Sequence, residues 1–156
     1  MKFVVPAVAA TAALAAPVCA EARQVTFETT LKSYGGNGAY VALYVTDASG
    51  QYKGTLWMAG GKAKYYRHLS DWQRASGGGA AEIDGITGAS IGSGKTLKIS
   101  VDLADAMIDA GYKVHVDTAV EDGMDNPSEV VAPLETPASG KAFPGKGYVK
   151  SFRITF

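Results

Sequence analysis

Between Gln24 and Ser33 the chain alternates, with Val25, Phe27, Thr29 and Leu31 on one side and more polar residues on the other. A period of two is that of a strand with one face buried. The break "YGGNG" follows, and then "YVALYVT", Tyr40 to Thr46, is apolar at almost every position. With the turn "DASG" and a second run through "YKGTLWM", the stretch Tyr40 to Met58 predicts a hairpin whose first strand is covered on both faces. The period then changes. In "KYYRHLSDWQRA", Lys64 to Ala75, the residues Tyr65, Leu69 and Trp72 fall at i, i+4 and i+7, one stripe of a short helix that "SGGGA" ends.

Further strands are predicted at Thr96 to Leu103, with Leu97, Ile99, Val101 and Leu103 on one face, and at Tyr112 to Val120. The C-terminal "YVKSFRITF" sets Tyr148, Phe152, Ile154 and Phe156 against Val149, Ser151, Arg153 and Thr155, and Phe156 reads as the end of a buried strand. Glu121 to Gly147, rich in Pro, Gly and Ser, predicts a long surface excursion with one strand near Glu129 to Leu134. Many short strands, one short helix and glycine-rich turns make a mainly β fold, an antiparallel β-sandwich, the expected architecture.

The N-terminus has a pattern of its own. "MKFVVPAVAATAALAAPVCA" carries Lys2, an apolar run, and Val18 and Ala20 at the spacing that a signal peptidase reads. The expectation is a secretory signal over residues 1–20, cleaved after Ala20, and one domain over residues 21–156. The apolar run is shorter than the roughly 20 residues needed to cross a bilayer and is broken by Pro6 and Pro17, so no membrane insertion is expected after cleavage. Pro17 and Val18 before Cys19 suit a lipoprotein signal poorly.

Cleavage would remove Cys19, the sole cysteine. The exported domain would then have no disulfide, no cysteine nucleophile and no thiolate-held haem or iron–sulfur cluster. The 15 basic and 15 acidic residues lose only Lys2 with the signal and include no basic block, so no nucleic-acid partner is expected. His68 and His115 lack neighbours at metal-ligand spacing. Glu121, Asp122, Asp125, Asn126 and Glu129 lack the order of a calcium loop and read as a solvated acidic segment.

The segment "DGITGASIGSGKT", Asp84 to Thr96, carries three overlapping motifs. From Ala89 it fits a permissive phosphate-binding loop, but that loop needs a helix after its lysine, and "TLKISVDL" is a strand pattern. From Gly88 it fits the serine elbow of hydrolases, with Ser90 as nucleophile and aspartates and His115 downstream. The elbow also needs a following helix, and His115 lies in a predicted strand.

The third pattern is "DGITGAS". It resembles the acceptor motif of bacterial proteins that carry covalent FMN: an Asp, a short gap, a Ser or Thr, Gly, Ala and a final Ser or, more usually, Thr. The resemblance implies that an exported, magnesium-dependent FAD:protein FMN transferase joins the FMN phosphate to the final hydroxyl. Matched residue by residue, Asp84, Gly85, Thr87, Gly88 and Ala89 form the motif and Ser90 is the acceptor. An acceptor must be exposed on a loop slim enough to enter another enzyme, a role that Gly88 and Ala89 suit. Thr87 and Ser90 also have a plainer reading, as turn residues whose hydroxyls bond nearby backbone. Tyr65, Tyr66, Trp57 and Trp72 are candidates to lie beside an isoalloxazine ring, although helical spacing makes Tyr65, Leu69 and Trp72 core residues first.

A wider resemblance spans most of the chain after the signal. "YVALYVTDASGQYKGTLWMAGGKAKYYRHLSDWQRA", the "TGAS" loop and "DAGYKVHVDTAVEDG" are similar to the predicted periplasmic family catalogued as domain of unknown function 2271. Tyr65, Leu69, Trp72, Gly111 and Tyr112 match that family's pattern, while "TAVEDG" stands where its late strand carries a Glu and an Arg. The resemblance implies a small Ig-like sandwich in the periplasm, often accompanying flavin transferases and membrane-bound reductases of PepSY type. Together the two resemblances imply an electron-transfer protein carrying FMN on Ser90 rather than a stand-alone enzyme. The alternative is an unmodified binding or accessory module of the same fold, without a cofactor.

Overall fold

The computed structural model describes residues 21–156, so the signal-peptide reading and its cleavage after Ala20 lie outside the described residues. In chain order the strands are β1 (Ala22–Leu31), β2 (Ala39–Thr46) and β3 (Tyr52–Ala59), then helix α1 (Ser70–Ser76), then β4 (Thr87–Gly88), β5 (Thr96–Ala104), β6 (Lys113–Val120), β7 (Asp125–Pro133), β8 (Ala142–Phe143) and β9 (Val149–Thr155). They form two sheets, ordered β5-β1-β9-β8 and β4-β3-β2-β6-β7. Pairing is antiparallel except between β3 and the two-residue β4, which run parallel. The mainly β sandwich with one short helix is therefore the observed fold.

The inner faces meet over Val25, Phe27 and Leu31 of β1, Phe152 and Ile154 of β9, and Val41, Leu43 and Val45 of β2, all essentially inaccessible to solvent. The outer face of the first sheet is polar, with Thr26 bonded to Ser100 and Thr30 to Thr96, both at 2.9 Å. The second sheet has no such wet face over β2. Tyr40, Ala42 and Tyr44 project away from the sandwich into a second core with Met58, Tyr66, Leu69, Trp72 and Ile83. The near-continuous apolar run of β2 is thus explained by two covered faces, as the sequence predicts.

The layer over β2 differs from the expected single helix. A 3-10 segment, Ala63–His68, gives way at Leu69 (φ −87°, ψ 68°) to α1, which Gly77 ends in the left-handed conformation (φ 78°). The tighter 3-10 winding carries about three residues per turn, so Tyr66, Leu69 and Trp72 share the buried side. Tyr65, expected in the core, is displaced to a half-buried position.

Two further expectations are corrected by bulges. Pairing between β1 and β9 shifts at Thr30/Leu31, which turns Val149 inward and leaves Tyr148 half-buried at the rim, its ring 4.7 Å from that of Tyr34. The predicted excursion after Glu121 contains a nine-residue edge strand, β7, which begins at Asp125. The β6–β7 register shifts between Val116 and Thr118, opposite Pro127 and Ser128, and this bulge tolerates a proline without an N–H.

Candidate functional site

Buried Ile83 holds the near end of the "DGITGAS" loop against the second core. The chain then turns at Asp84 and Gly85, the glycine taking a φ of +76° that a side chain would disfavour. Thr87 Oγ1 donates to the Ile83 carbonyl at 2.8 Å, closing the turn. The loop is stitched to the end of β3 by the N–H of Met58 on Ile86 O and the N–H of Gly60 on Gly88 O, both at 2.8 Å. Past the end of β3, Ile91 pairs with Ala39 at the start of β2 through two bonds of 2.7 and 2.9 Å.

Between these attachments Ala89 and Ser90 are exposed. The Ser90 hydroxyl makes no side-chain hydrogen bond among the described residues, whereas that of Thr87 is committed. Ser90 Oγ lies against Gly38, where an added Cβ would stand only 2.7 Å from it. Asp84 is also exposed. The structure thus places all six motif residues on one anchored loop and leaves one hydroxyl free on it.

Gly88 is also a packing position. A Cβ there would stand 2.7 Å from the Trp57 indole, so the backbone packs directly on that ring. Trp57 Nε1 is buried beneath it and has no hydrogen-bond partner among the described residues. Gly88→Ala is expected to destabilise the fold by about 1–3 kcal/mol, the usual range for forcing a methyl group into a packed site. A lowered urea midpoint at unchanged m-value would show it; an unchanged midpoint would mean that Trp57 moves aside freely.

Neither competing motif has its geometry. After Lys95 comes β5 and not a helix, and the Lys95 N–H donates to Gly92 O at 3.0 Å instead of facing outward. The Ser93 hydroxyl accepts the N–H groups of Tyr34 and Gly35 at 2.9 and 3.0 Å. His115 does not serve Ser90: it bonds Thr46 Oγ1 through Nε2 at 2.9 Å and lies 3.3 Å from Ser128 Oγ through Nδ1.

That polar cluster is one the sequence reading missed. Asp117, fully buried, accepts the N–H groups of Trp72 and Ser128, each at 2.8 Å, and the Tyr44 hydroxyl at 3.2 Å. Ser128, at a φ of +41°, donates its hydroxyl to Asp71 Oδ2 at 2.7 Å. The aspartate holds the serine and not the imidazole, so the set lacks the order of a hydrolytic triad and instead pins α1 to the sheet. An alternating "KVHVDTAV" gave one hint, since a carboxylate between buried positions of a central strand must find partners.

Burial pushes the Asp117 carboxyl above its ordinary 3.8 and holds His115 below its ordinary 6.5, where Lys113 adds to the effect and Asp71 opposes it. The two act oppositely. Asp117 contributes stability that is complete below 3.8 and is lost as pH rises through its folded value. His115 contributes stability that is lost as pH falls through 6.5 toward its folded value, because the unfolded chain takes up the proton first. His115→Asn is expected to flatten the fall in unfolding free energy below pH 6.5 in a series of urea titrations. An unchanged slope would assign that fall to another group.

At the same end of the second sheet as Ser90 lies a cavity of about 320 Å³. Tyr40 and Tyr65, ring centroids 5.4 Å apart, form one wall, and the turn from Glu121 to Asp125 forms the other. Tyr65 donates its hydroxyl to Glu121, and His68 Nδ1 lies 2.9 Å from Asp125. Among the described residues no three His, Cys, Asp or Glu side chains converge as a metal site requires. No described helix is long and apolar enough to cross a membrane.

Fold and loop together define a small two-sheet protein with an exposed hydroxyl presented on an anchored loop. The chain belongs to the family described as predicted periplasmic protein (DUF2271), whose model matches residues 22–151, from β1 into β9. Comparison with curated proteins and with solved structures gives no match.

Proposed function

We propose that this protein is a periplasmic electron carrier whose redox group is FMN esterified to Ser90. The observation that carries the reading is the Ser90 hydroxyl: exposed, free of hydrogen bonds among the described residues, and presented on a loop fixed at both ends. Gly38 beside it has no side chain, which makes the room that the acceptor oxygen takes. Membership of a predicted periplasmic family agrees with the compartment in which exported flavin transferases work, and a signal cleaved after Ala20 would deliver the chain there.

The modifying partner is an FAD:protein FMN transferase. Ser90 Oγ attacks the FMN-side phosphorus of FAD, the bond to the AMP oxygen breaks, AMP leaves, and the serine proton passes to a base of the transferase. Attached FMN supplies reversible uptake of one or two electrons, chemistry that no side chain of the cysteine-free region 21–156 provides. The chain's own part is to hold the acceptor in reach, tether the product and present a surface to redox partners, with a membrane-bound reductase of PepSY type as the electron donor.

The reading is tested by the intact mass of protein coexpressed with a flavin transferase in the presence of magnesium. The expected gain is that of FMN less water. Absence of the gain with both proteins folded would overturn the proposal and leave an unmodified binding or accessory module of the same fold.

A further inference from the structure

The structure assigns the cavity between the Tyr40–Tyr65 wall and the β6–β7 turn as the dock for a flat, hydrogen-bonding aromatic ring system. On the Ser90 reading, on which this identification of the ligand rests, that ring system is the isoalloxazine tethered to Ser90. Four observations converge on it.

The first is size and lining. About 320 Å³ accommodates a three-ring heterocycle, and half-buried Tyr65 offers it an aromatic face, over which the flexible Lys64 side chain holds its Nζ 4.9 Å from the centroid, while Tyr40, buried against Gly60, backs that wall. The second is side. Strand residues two apart project to one face, so a side chain at Gly38 would point the way Tyr40 does. The place such a side chain would take is occupied by Ser90 Oγ, which puts the acceptor on the face of the sheet that carries the cavity.

The third is reach. Ala39 pairs with Val120 at the end of the β2–β6 ladder, and just beyond it the Glu121 carbonyl accepts a 3.5 Å bond from Asn37 Nδ2, the neighbour of Gly38. Ser90 Oγ lies directly against Gly38, beside this pair, so acceptor and cavity wall are within about 10 Å, two strand spacings. The five ribityl carbons with the phosphoryl group span a similar distance when extended. Gly38, without a side chain, is the floor they would cross.

The fourth is charge. Glu121, Asp122 and Asp125 line the cavity against Arg67 and His68, and His68 is taken up by Asp125. A phosphate would meet repulsion there, whereas the ring's N–H group would find carboxylate acceptors. The charged end of the ligand therefore stays at Ser90 and the ring enters.

Flavin fluorescence tests this, because tyrosine against an isoalloxazine quenches it. In flavinylated protein the emission is expected to rise several-fold on unfolding in guanidine. Tyr65→Ala is expected to raise emission of the folded protein toward the unfolded level with the mass gain intact, while Tyr65→Phe and Trp57→Phe leave it quenched. Equal emission from folded and unfolded protein, or relief by Trp57→Phe and not by Tyr65→Ala, would overturn the dock and leave the Ser90 ester standing. If no mass gain occurs, the Ser90 reading has failed, and the cavity is tested alone by titrating unmodified protein with lumiflavin. Saturable quenching lost in Tyr65→Ala supports the dock, and its absence in the wild type overturns it.

Discussion

Replacing Ser90 with alanine is expected to abolish the FMN mass gain in coexpressed protein and to leave the fold unchanged. The effect on modification is complete because the ester oxygen is the serine's own, and no rearrangement of the transferase can supply it. The effect on stability is small because the side chain is exposed and its hydroxyl unbonded, and substitutions of that kind stay within about 0.5 kcal/mol. Thr87→Ala separates the two hydroxyls of the motif. It removes the 2.8 Å bond to Ile83 O, worth about 1 kcal/mol, and loosens the turn that presents Ser90, so modification slows without stopping. Ser90→Thr keeps a hydroxyl at the same place and is expected to remain an acceptor. A full mass gain in Ser90→Ala, mapped by peptide digestion, would move the bond to another hydroxyl and sink the assignment.

What sequence made legible here follows from which physics is local. The alternation of β1 and β5, the doubly covered β2 and the hairpin with β3 depend on neighbours one or two residues away, and each strand falls within a few residues of its expected place. Contacts that depend on distant partners were not legible. Whether Tyr65 or Tyr66 turns inward is decided by a 3-10 winding that the i, i+4, i+7 spacing cannot distinguish from an α-helix. The start of β7 was hidden because Pro127 and Ser128 look like loop residues until Asp117 appears opposite them, accepting the Ser128 N–H.

The acceptor loop shows the same division. Its residue types were readable as a motif, and the structure adds why two of its glycine contacts are what they are: Gly88 lies on Trp57, and Gly38, far away in sequence, makes room for Ser90. Nothing in the local sequence ties residue 38 to residue 90. The pairing of Ala39 with Ile91 does, and it also brings the loop to the end of the sheet where the tyrosine-walled cavity opens.

Trp72→Ala is expected to lower unfolding free energy by about 3–5 kcal/mol, the range for truncating a large buried aromatic. Trp72 is fully buried, its ring meets Tyr66 edge-on at 5.9 Å, and its indole N–H donates to Thr55 Oγ1 at 2.9 Å. Alanine there empties the centre of the second core, which also includes Leu69 and Met58, and removes one of the two bonds of the Thr55 hydroxyl, which keeps that to Tyr52 at 2.7 Å. Small domains are stable by only about 5–15 kcal/mol in total, so the loss is a large fraction. Trp72→Phe keeps most of the volume and loses the indole bond, so its cost is expected to be clearly smaller. The main-chain N–H of residue 72 still reaches Asp117 in both variants, which isolates the packing contribution from the pin that holds α1 to the sheet. Urea unfolding followed by circular dichroism measures it. A cost below 1 kcal/mol for Trp72→Ala would mean that the layer over β2 collapses onto the gap, and that the second core is not the support on which Tyr65 and the cavity wall rest.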